Sequence, residues 1–583
     1  MSRSVEKRWI IRHPDYASRD AIVRELGISP FVAAILVNRG IKDPDEVSRF
    51  LSPRLAHLHE PFLMKDMEKA VDRLQKAVLN RERTVIYGDY DVDGIVSSLV
   101  VRDFLRLAGL ECDIYIPDRL TEGYDLSPAA VERLAEEGYS LLVTVDCGVR
   151  ASEAAERAAR LGMTMIVTDH HEVGDELPPA AAVVDPMRPD CGYPFKRLAG
   201  VGVAYKLVWA LARRLAGGER LPDLFRDFLL DYLSVVALGT VCDVVPLLGE
   251  NRVFVHYGLR RLASFRNVGM RSLLEESGVL RRLMQGQQGI TARDLAFLVG
   301  PRINAAGRLG EAETGLELFS TTDASAARRI AARLGELNTR RQKLESEILQ
   351  QARDLVAAGG EPPPAIVLAS PDWHQGVLGI VASRLVNEFY RPTFLGCVEG
   401  DTVRGSARSI EGFDIVASLT RCSDLLERYG GHAGAAGFSL KADRLEEFAE
   451  RLREDAAASF SRNPKLLEPA VFVESELPFD AIDDGLLAEM DKLAPFGHEH
   501  PKPLFFAGNV EVVGEPRLVG AGNRHLVMHL KRDGRTFRAI AFNQGEKVRE
   551  LRRFMNVLFT PRLESYNGMT GIQLEIHGLR AGG

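Results

Sequence analysis

No two of the six cysteines form a C-x-x-C pair: Cys112, Cys147, Cys191, Cys242, Cys397 and Cys422 are scattered along the chain. That excludes a zinc ribbon and a secreted disulfide framework, and predicts reduced, mostly buried thiols. No stretch approaches the roughly 18 uncharged apolar residues of a membrane span. The charged first residues, 1–8, lead into no apolar signal-peptide core, so the chain reads as cytosolic (cytoplasmic). There is also no excess of positive charge. The formal net charge is −7, so any nucleic-acid binding must rest on local clusters. With 46% hydrophobic and 27% charged residues the composition gives no basis for global disorder, and 583 residues exceed one core, predicting three or four compact units.

Residues 1–70 alternate short helical patterns with turns and carry no cluster of catalytic residue types, which predicts an N-terminal helical segment. From residue 84 short β-rich runs, 84–87, 112–116, 141–145 and 165–167, alternate with amphipathic helices. This predicts an α/β domain with a mainly parallel sheet over 71–320. Apolar residues Ile330, Leu334, Leu337, Leu344, Ile348 and Leu355 mark one face of a long connector helix over 321–358, stopped by Gly359-Gly360 and Pro362-Pro363-Pro364. A second α/β domain follows over 359–460. Over 461–583 short strands and tight turns, such as the one at Asp533-Gly534, predict an OB-like β-barrel.

The chemistry-bearing residues fall just past the expected strand ends: Asp89, Asp91 and Asp93 after the first run, Asp146 after the third, and Asp169-His170-His171 after the fourth. Open α/β sheets bind ligands at the carboxyl ends of their strands, so these loops should converge, with Asp243 after a further apolar run as a fourth contributor. So many carboxylates share a small site only if positive charge offsets their repulsion. Oxygen ligands with one or two imidazoles suit Mn²⁺ or Mg²⁺. A pair of such ions is the usual device for attack on phosphorus, which points to phosphoester hydrolysis. The D-x-D-x-D-G run superficially matches a calcium loop, but Val100 stands where that loop needs a glutamate and a strand precedes it.

D-x-D-x-D-G at 89–94, T-V-D-C-G at 144–148, D-H-H at 169–171 and G-T-V-C-D at 239–243 resemble, in order, the four motifs of the DHH phosphoesterase superfamily. Further segments are similar to its single-strand-specific exonuclease branch: 116–119, Glu122-Gly123-Tyr124, 198–202, 300–308 and 337–342. Those at 376–385, 404–409 and 430–437 resemble its DHH-associated domain. The resemblance implies a 5′-to-3′ exonuclease that releases mononucleotides from single-stranded DNA with Mn²⁺ or Mg²⁺, as two ions, in DNA repair and recombination. It implies Asp89, Asp91, Asp93, Asp146, His170 and Asp243 as metal ligands, Asp146 as a bridge, and His171 facing the scissile phosphate. Arg119, Arg302, Arg308, Ser406, Arg408 and His432 would contact the strand and its 5′ phosphate. Some relatives carry a metal-binding histidine where this chain has Tyr87, which leaves the ligand set of one ion open.

The branch works beside helicases and single-strand-binding protein. Arg517, Arg524, Lys531, Arg532, Arg535 and Arg538, with Phe537 and His529 interleaved, form a local basic cluster that suits a single-strand track. A short-oligonucleotide phosphodiesterase and a non-catalytic replication scaffold remain the alternatives. The first would lack the barrel; the second would have lost several acidic ligands.

Overall fold

The computed structural model describes residues 6–119, 122, 123, 125–286, 289–566 and 569–582. The chain divides into two compact units, one holding 1–8, 61–243 and 258–469, the other 9–60, 244–257 and 470–583. Tyr124, one of the residues of the family-like segments, lies outside the described residues. Among the described residues no helix is long and apolar enough to cross a membrane, and the six cysteines are unpaired.

The first unit is built on a five-stranded, all-parallel sheet in the order Cys112–Tyr115, Thr84–Gly88, Leu141–Val145, Thr164–Thr168, Ala182–Val184. Thr84–Gly88 and Leu141–Val145 are buried along their whole length. That is what a sheet covered by helices on both faces requires, and it explains why the strands read as apolar runs without alternation. The helices Val92–Leu107, Gly200–Ala216 and Asp223–Cys242 pack on one another. Asp243 therefore sits at the C-terminus of a helix rather than at a strand end.

A single helix, Ala324–Ala358, leads to a second sheet in the order Leu426–His432, Ala435–Lys441, Thr402–Arg408, Thr393–Glu399, Ile366–Ser370. Only the last pair of strands is parallel.

The second unit closes a barrel. Phe505–Val519 pairs with both His525–Arg532 and Phe554–Tyr566. Arg535–Ala541 and Met569–Ala581 complete the ring through a parallel pairing between them. Closure removes exposed sheet edges, the usual hazard of an all-β unit. The N-terminal helices, expected as a separate segment, share the barrel's core: Ile22, Val32, Leu36 and Val47 belong to the same apolar cluster as Phe505, Leu530 and Phe559. Three short helices cannot bury their apolar faces alone.

Within this unit Arg252 is buried and donates to five backbone carbonyls, those of Phe50, Lys492, Leu493, Ala494 and Pro495, while its guanidinium lies 3.9 Å from the Phe50 ring centre. It satisfies the carbonyls left open past the helix Asp484–Asp491.

Candidate metal centre and phosphate pocket

At the end of Thr84–Gly88 the chain turns through Asp89, and Asp91 caps the next helix, its Oδ1 accepting the amides of Asp93 (2.7 Å) and Gly94 (3.1 Å). Asp93, fully buried, accepts the amides of Gly200 (2.7 Å) and Val201 (3.1 Å), which ties it to the N-terminus of a second helix. Asp146 follows Leu141–Val145 in a left-handed turn with φ of +62°, a conformation an aspartate tolerates better than most residues and one that aims its carboxylate off the sheet edge. Glycines hold the helices close. A Cβ at Gly200 would come within 2.4 Å of Asp146 Oδ1, and one at Gly239 within 2.5 Å of Asp93 Oδ1.

Three ligand sets result, each with its atoms within 4.8 Å of one another: Asp146, His170 and His171; Asp93, His170 and Asp243; Asp89, Asp91 and Asp146. His170 Nε2 stands 3.1 Å from Asp146 Oδ1 and 3.6 Å from Asp243 Oδ2. Those contacts are short, yet Asp89 Oδ1, Asp146 Oδ1, Asp243 Oδ2 and His170 Nε2 are all buried without hydrogen-bond geometry to any partner. Four orphaned polar atoms converging on one place are too costly to leave unsatisfied. An oxygen-rich set with imidazole fits Mn²⁺ or Mg²⁺. The nearby thiols do not compete: burial pushes Cys147 and Cys242 well above the ordinary thiol range.

The electrostatics carry the same message. Burial, then the charges of neighbouring aspartates, raises Asp89 and Asp146 well above the ordinary carboxyl range and lifts Asp93 and Asp243 up to about 8. Asp243 also sits at the negative end of a helix dipole, which adds to the demand for a cation. Against an ordinary value of 3.8, Asp93 and Asp243 hold protons in the metal-free fold that the unfolded chain has lost. The metal-free fold therefore loses stability as pH rises from about 4 to about 8, whereas a divalent ion must displace those protons and binds more tightly as pH rises. Mn²⁺ is expected to raise the Tm more at pH 8 than at pH 6 in a thermal-shift series. Equal shifts would contradict this linkage.

Asp169, the first residue of the D-H-H run, has a task that the sequence reading does not assign. It is buried, and its Oδ1 accepts the amides of His170 (2.7 Å) and His171 (3.2 Å) and faces His171 Nδ1 at 2.7 Å, while Oδ2 accepts the Val149 amide at 2.9 Å. Burial alone would raise Asp169, but the His171 hydrogen bond and charge hold it below the ordinary carboxyl range. Burial alone would lower His171, but Asp169 lifts it up to about 9. His171 is thus cationic at neutral pH, with Nδ1 committed to Asp169. His170 is lowered by burial and by the charge of His171, so it offers a neutral ligand nitrogen. Tyr87 turns away into the apolar layer under the sheet, stacks on Tyr115 at 5.3 Å and donates to the Asp125 carbonyl at 3.3 Å. It stands apart from the three ligand sets.

Beside the acidic cluster lies a cationic one. Arg119 rests 5.2 Å from the centre of the Tyr90 ring, between Asp89 and Asp91 in sequence. Burial, then the charge of Arg119, lowers Arg308 to about 10 and also lowers Arg408. Arg308 donates to the Gly376 carbonyl (3.1 Å) and Arg408 to the Ala407 carbonyl (2.8 Å). Among the described residues no carboxylate pairs with either.

Sheet register explains the rest of the pocket. Arg408 is opposite Ala435, which is opposite His432; Ser406 is opposite Gly437, which is opposite Gly430. Ser406, Arg408 and His432 therefore share one face, and the row beside Ser406 is bare backbone, which suits phosphate oxygens. Arg302 is placed differently. Its guanidinium donates to the Leu298 carbonyl, and burial lowers it, so the structure gives it a contact that supports the backbone.

On the barrel, His529, Lys531 and Arg538 are exposed, with His529 directly opposite Arg538. Arg532 is neutralised by Glu476 and Arg538 by Glu564, each at 2.8 Å. Phe537, expected to interleave with the basic groups, is instead in the core. Its place between Thr536 and Arg538 in an alternating strand puts it on the inner face. Phenylalanine rings that reach the barrel surface include Phe542 and Phe554, with Arg562 and Arg553 respectively 5.3 Å from their centres.

The chain matches the DHH family N-terminal domain over residues 83–240, the DHHA1 domain over 363–458 and the RecJ OB domain over 473–578. It is 39% identical to the single-stranded-DNA-specific exonuclease RecJ of Bacillus subtilis over 92% of its own length, and spans 66% of that longer relative. It is 34% identical to the protein of the same name from Dickeya dadantii, over 94% of this chain and 95% of that one. The crystal structure of Thermus thermophilus RecJ in complex with Mn²⁺ superposes with a TM-score of 0.82 at 33% identity, covering 98% of this chain and 79% of that one. The Mg²⁺ complex gives 0.76 at 32% identity, over 98% and 78%. With this identity, this coverage and these domains in this order, the chain belongs to the RecJ family.

Proposed function

We propose that the chain is a single-stranded-DNA-specific exonuclease that digests from the 5′ end and releases 5′-mononucleotides, using two Mn²⁺ or Mg²⁺ ions. It acts in the cytoplasm in DNA repair and recombination, beside a helicase and single-strand-binding protein. The observation that carries this reading is the junction at Asp89–Asp91. A set of carboxylates that demands cations adjoins, through Tyr90 and Arg119, a set of half-buried arginines without carboxylate partners among the described residues, which suits an anion.

Asp89, Asp91, Asp93, Asp146, His170 and Asp243 would hold the ions, which supply charge to activate water and to stabilise the phosphate under in-line attack. The protein's own side chains do the rest. Arg119, Arg308, Arg408 and Ser406 grip the terminal phosphate, which fixes the number of nucleotides between it and the ions and so sets the product size. Asp169 holds His171 protonated, and the imidazolium donates to a phosphate oxygen. Arg517, Arg524, Lys531 and Arg535, free of ion pairs among the described residues, give the barrel charge for a long strand, which favours exonuclease action over cleavage of very short oligonucleotides alone.

Arg408→Ala tests the reading. It is expected to lower kcat/KM on 5′-phosphorylated strands by roughly 10- to 100-fold and to erase the preference over strands with a 5′ hydroxyl. A variant that keeps that preference would remove the phosphate grip from the proposal.

A further inference from the structure

The helix Asp223–Cys242 delivers Asp243 to the metal centre and then stops within one residue. Asp243 keeps helical angles, φ −75° and ψ −8°, and its amide still bonds the Gly239 carbonyl at 2.9 Å. The next residue, Val244, has a φ of +63°. Leaving a helix through a left-handed residue is common, but that residue is usually a glycine, whose missing Cβ removes the clash with the following carbonyl. The chain follows this habit after Tyr16–Leu26 and Gly200–Ala216, with Gly27 at +65° and Gly217 at +72°. After Cys242 it does not. Among the described non-glycine residues with a left-handed φ, Val244 is the only one branched at Cβ, and a branched side chain has the least room in that conformation.

With 60% of its surface exposed, the Val244 side chain gains little burial to offset the strain. The conformation is held from its neighbours instead. Pro246 restricts Val245 to extended angles, the Pro246 carbonyl accepts from Asn251 Nδ2 at 3.0 Å, and the Leu247 amide donates to the His498 carbonyl at 3.2 Å. Strain of this kind clusters at functional sites, where it preorganises a neighbouring group. The neighbour here is a ligand that needs holding. Asp243 Oδ2 is buried without a hydrogen-bond partner, 3.6 Å from His170 Nε2. The charge of Asp91 and the negative end of its own helix both push it away. Asp91 and Asp93 are each fixed by two backbone amides, a support that Asp243 Oδ2 lacks.

We infer that Val244 is a positioning residue for Asp243. Its branched Cβ leaves one narrow left-handed well, so the turn has no neighbouring conformation in which the carboxylate swings away from His170. A glycine would make the same turn without strain but would open those conformations. The inference rests on the assignment of Asp243 as a metal ligand, and adds the backbone device that holds this ligand in place before an ion arrives.

The test compares the full-length wild type with Val244→Gly, Val244→Ile and Asp243→Ala by two measurements, the Tm in EDTA and the Mn²⁺ affinity from loss of the free-ion EPR signal. Val244→Gly should raise the metal-free Tm by roughly 1–3 °C as strain is released. It should also weaken Mn²⁺ binding by roughly tenfold, the scale of losing a group that orients a ligand. Val244→Ile keeps the branch and should match the wild type in both. A purely structural residue would move the Tm alone. Unchanged or tighter Mn²⁺ binding in Val244→Gly, or weakened binding in Val244→Ile, would therefore overturn the inference. Failure of the ligand assignment itself shows separately, as an Asp243→Ala variant that binds Mn²⁺ as the wild type does.

Discussion

Asp146→Ala is expected to lose metal-dependent hydrolysis of single-stranded DNA by at least ~10³-fold, about 4 kcal/mol of transition-state stabilisation. Asp146 belongs to two of the three ligand sets, one with His170 and His171 and one with Asp89 and Asp91, so its removal takes a ligand from both at once. None of the other aspartates can take its place. Asp93 already accepts two backbone amides, and Asp91 caps its own helix with one oxygen. The same substitution should change the Tm of the metal-free protein little, because removing a carboxyl raised by burial and by repulsion from Asp93, Asp91, Asp243 and Asp89 offsets the strain of alanine at φ +62°. A variant that is folded, about as stable without metal and inactive with it separates a lost ligand from a lost fold. One that keeps more than a tenth of the activity would show that the ions do not share Asp146.

Asp169→Asn should cost on the order of 10²-fold in kcat. It should also move the alkaline limb of the pH–rate profile to lower pH. The carboxylate is acceptor-only and serves His170 N, His171 N, His171 Nδ1 and Val149 N. An amide offers one acceptor oxygen and turns donors toward the others. Without the Asp169 charge His171 falls from about 9 toward its ordinary 6.5, so the protonated form is lost earlier as pH rises. The change should appear in kcat with KM nearly constant, since the phosphate grip on Arg308 and Arg408 is untouched. An unchanged pH profile would assign Asp169 a purely structural task.

Most of the centre was legible in the sequence because a parallel sheet exposes its ligands at one edge. Asp89, Asp146 and His170 each follow an apolar run by one or two residues, and that geometry needs no tertiary information. Asp243 is different. It ends the helix Asp223–Cys242, and an apolar run before it reads equally as strand or buried helix. The task of Asp169 was masked by the histidines beside it, although a carboxylate two residues from an imidazole is the signal that would have found it. Phe537 was misplaced because charge along a strand was counted without its alternation, while Arg535, Phe537 and Ala539 share one parity and Phe537 and Ala539 are core residues. The sharing of one core by 9–60, 244–257 and 470–583 has no local signature at all. Three stretches far apart in sequence bury complementary apolar faces, and only folding brings those faces together.

The most direct measurement is a time course with Mn²⁺ on single-stranded DNA labelled separately at each end. A metal centre read out from an arginine-held 5′ phosphate predicts early release of the 5′ label as mononucleotide while the 3′ label stays on long fragments. Early release of the 3′ label, or internal cuts that free neither label as mononucleotide, would contradict it.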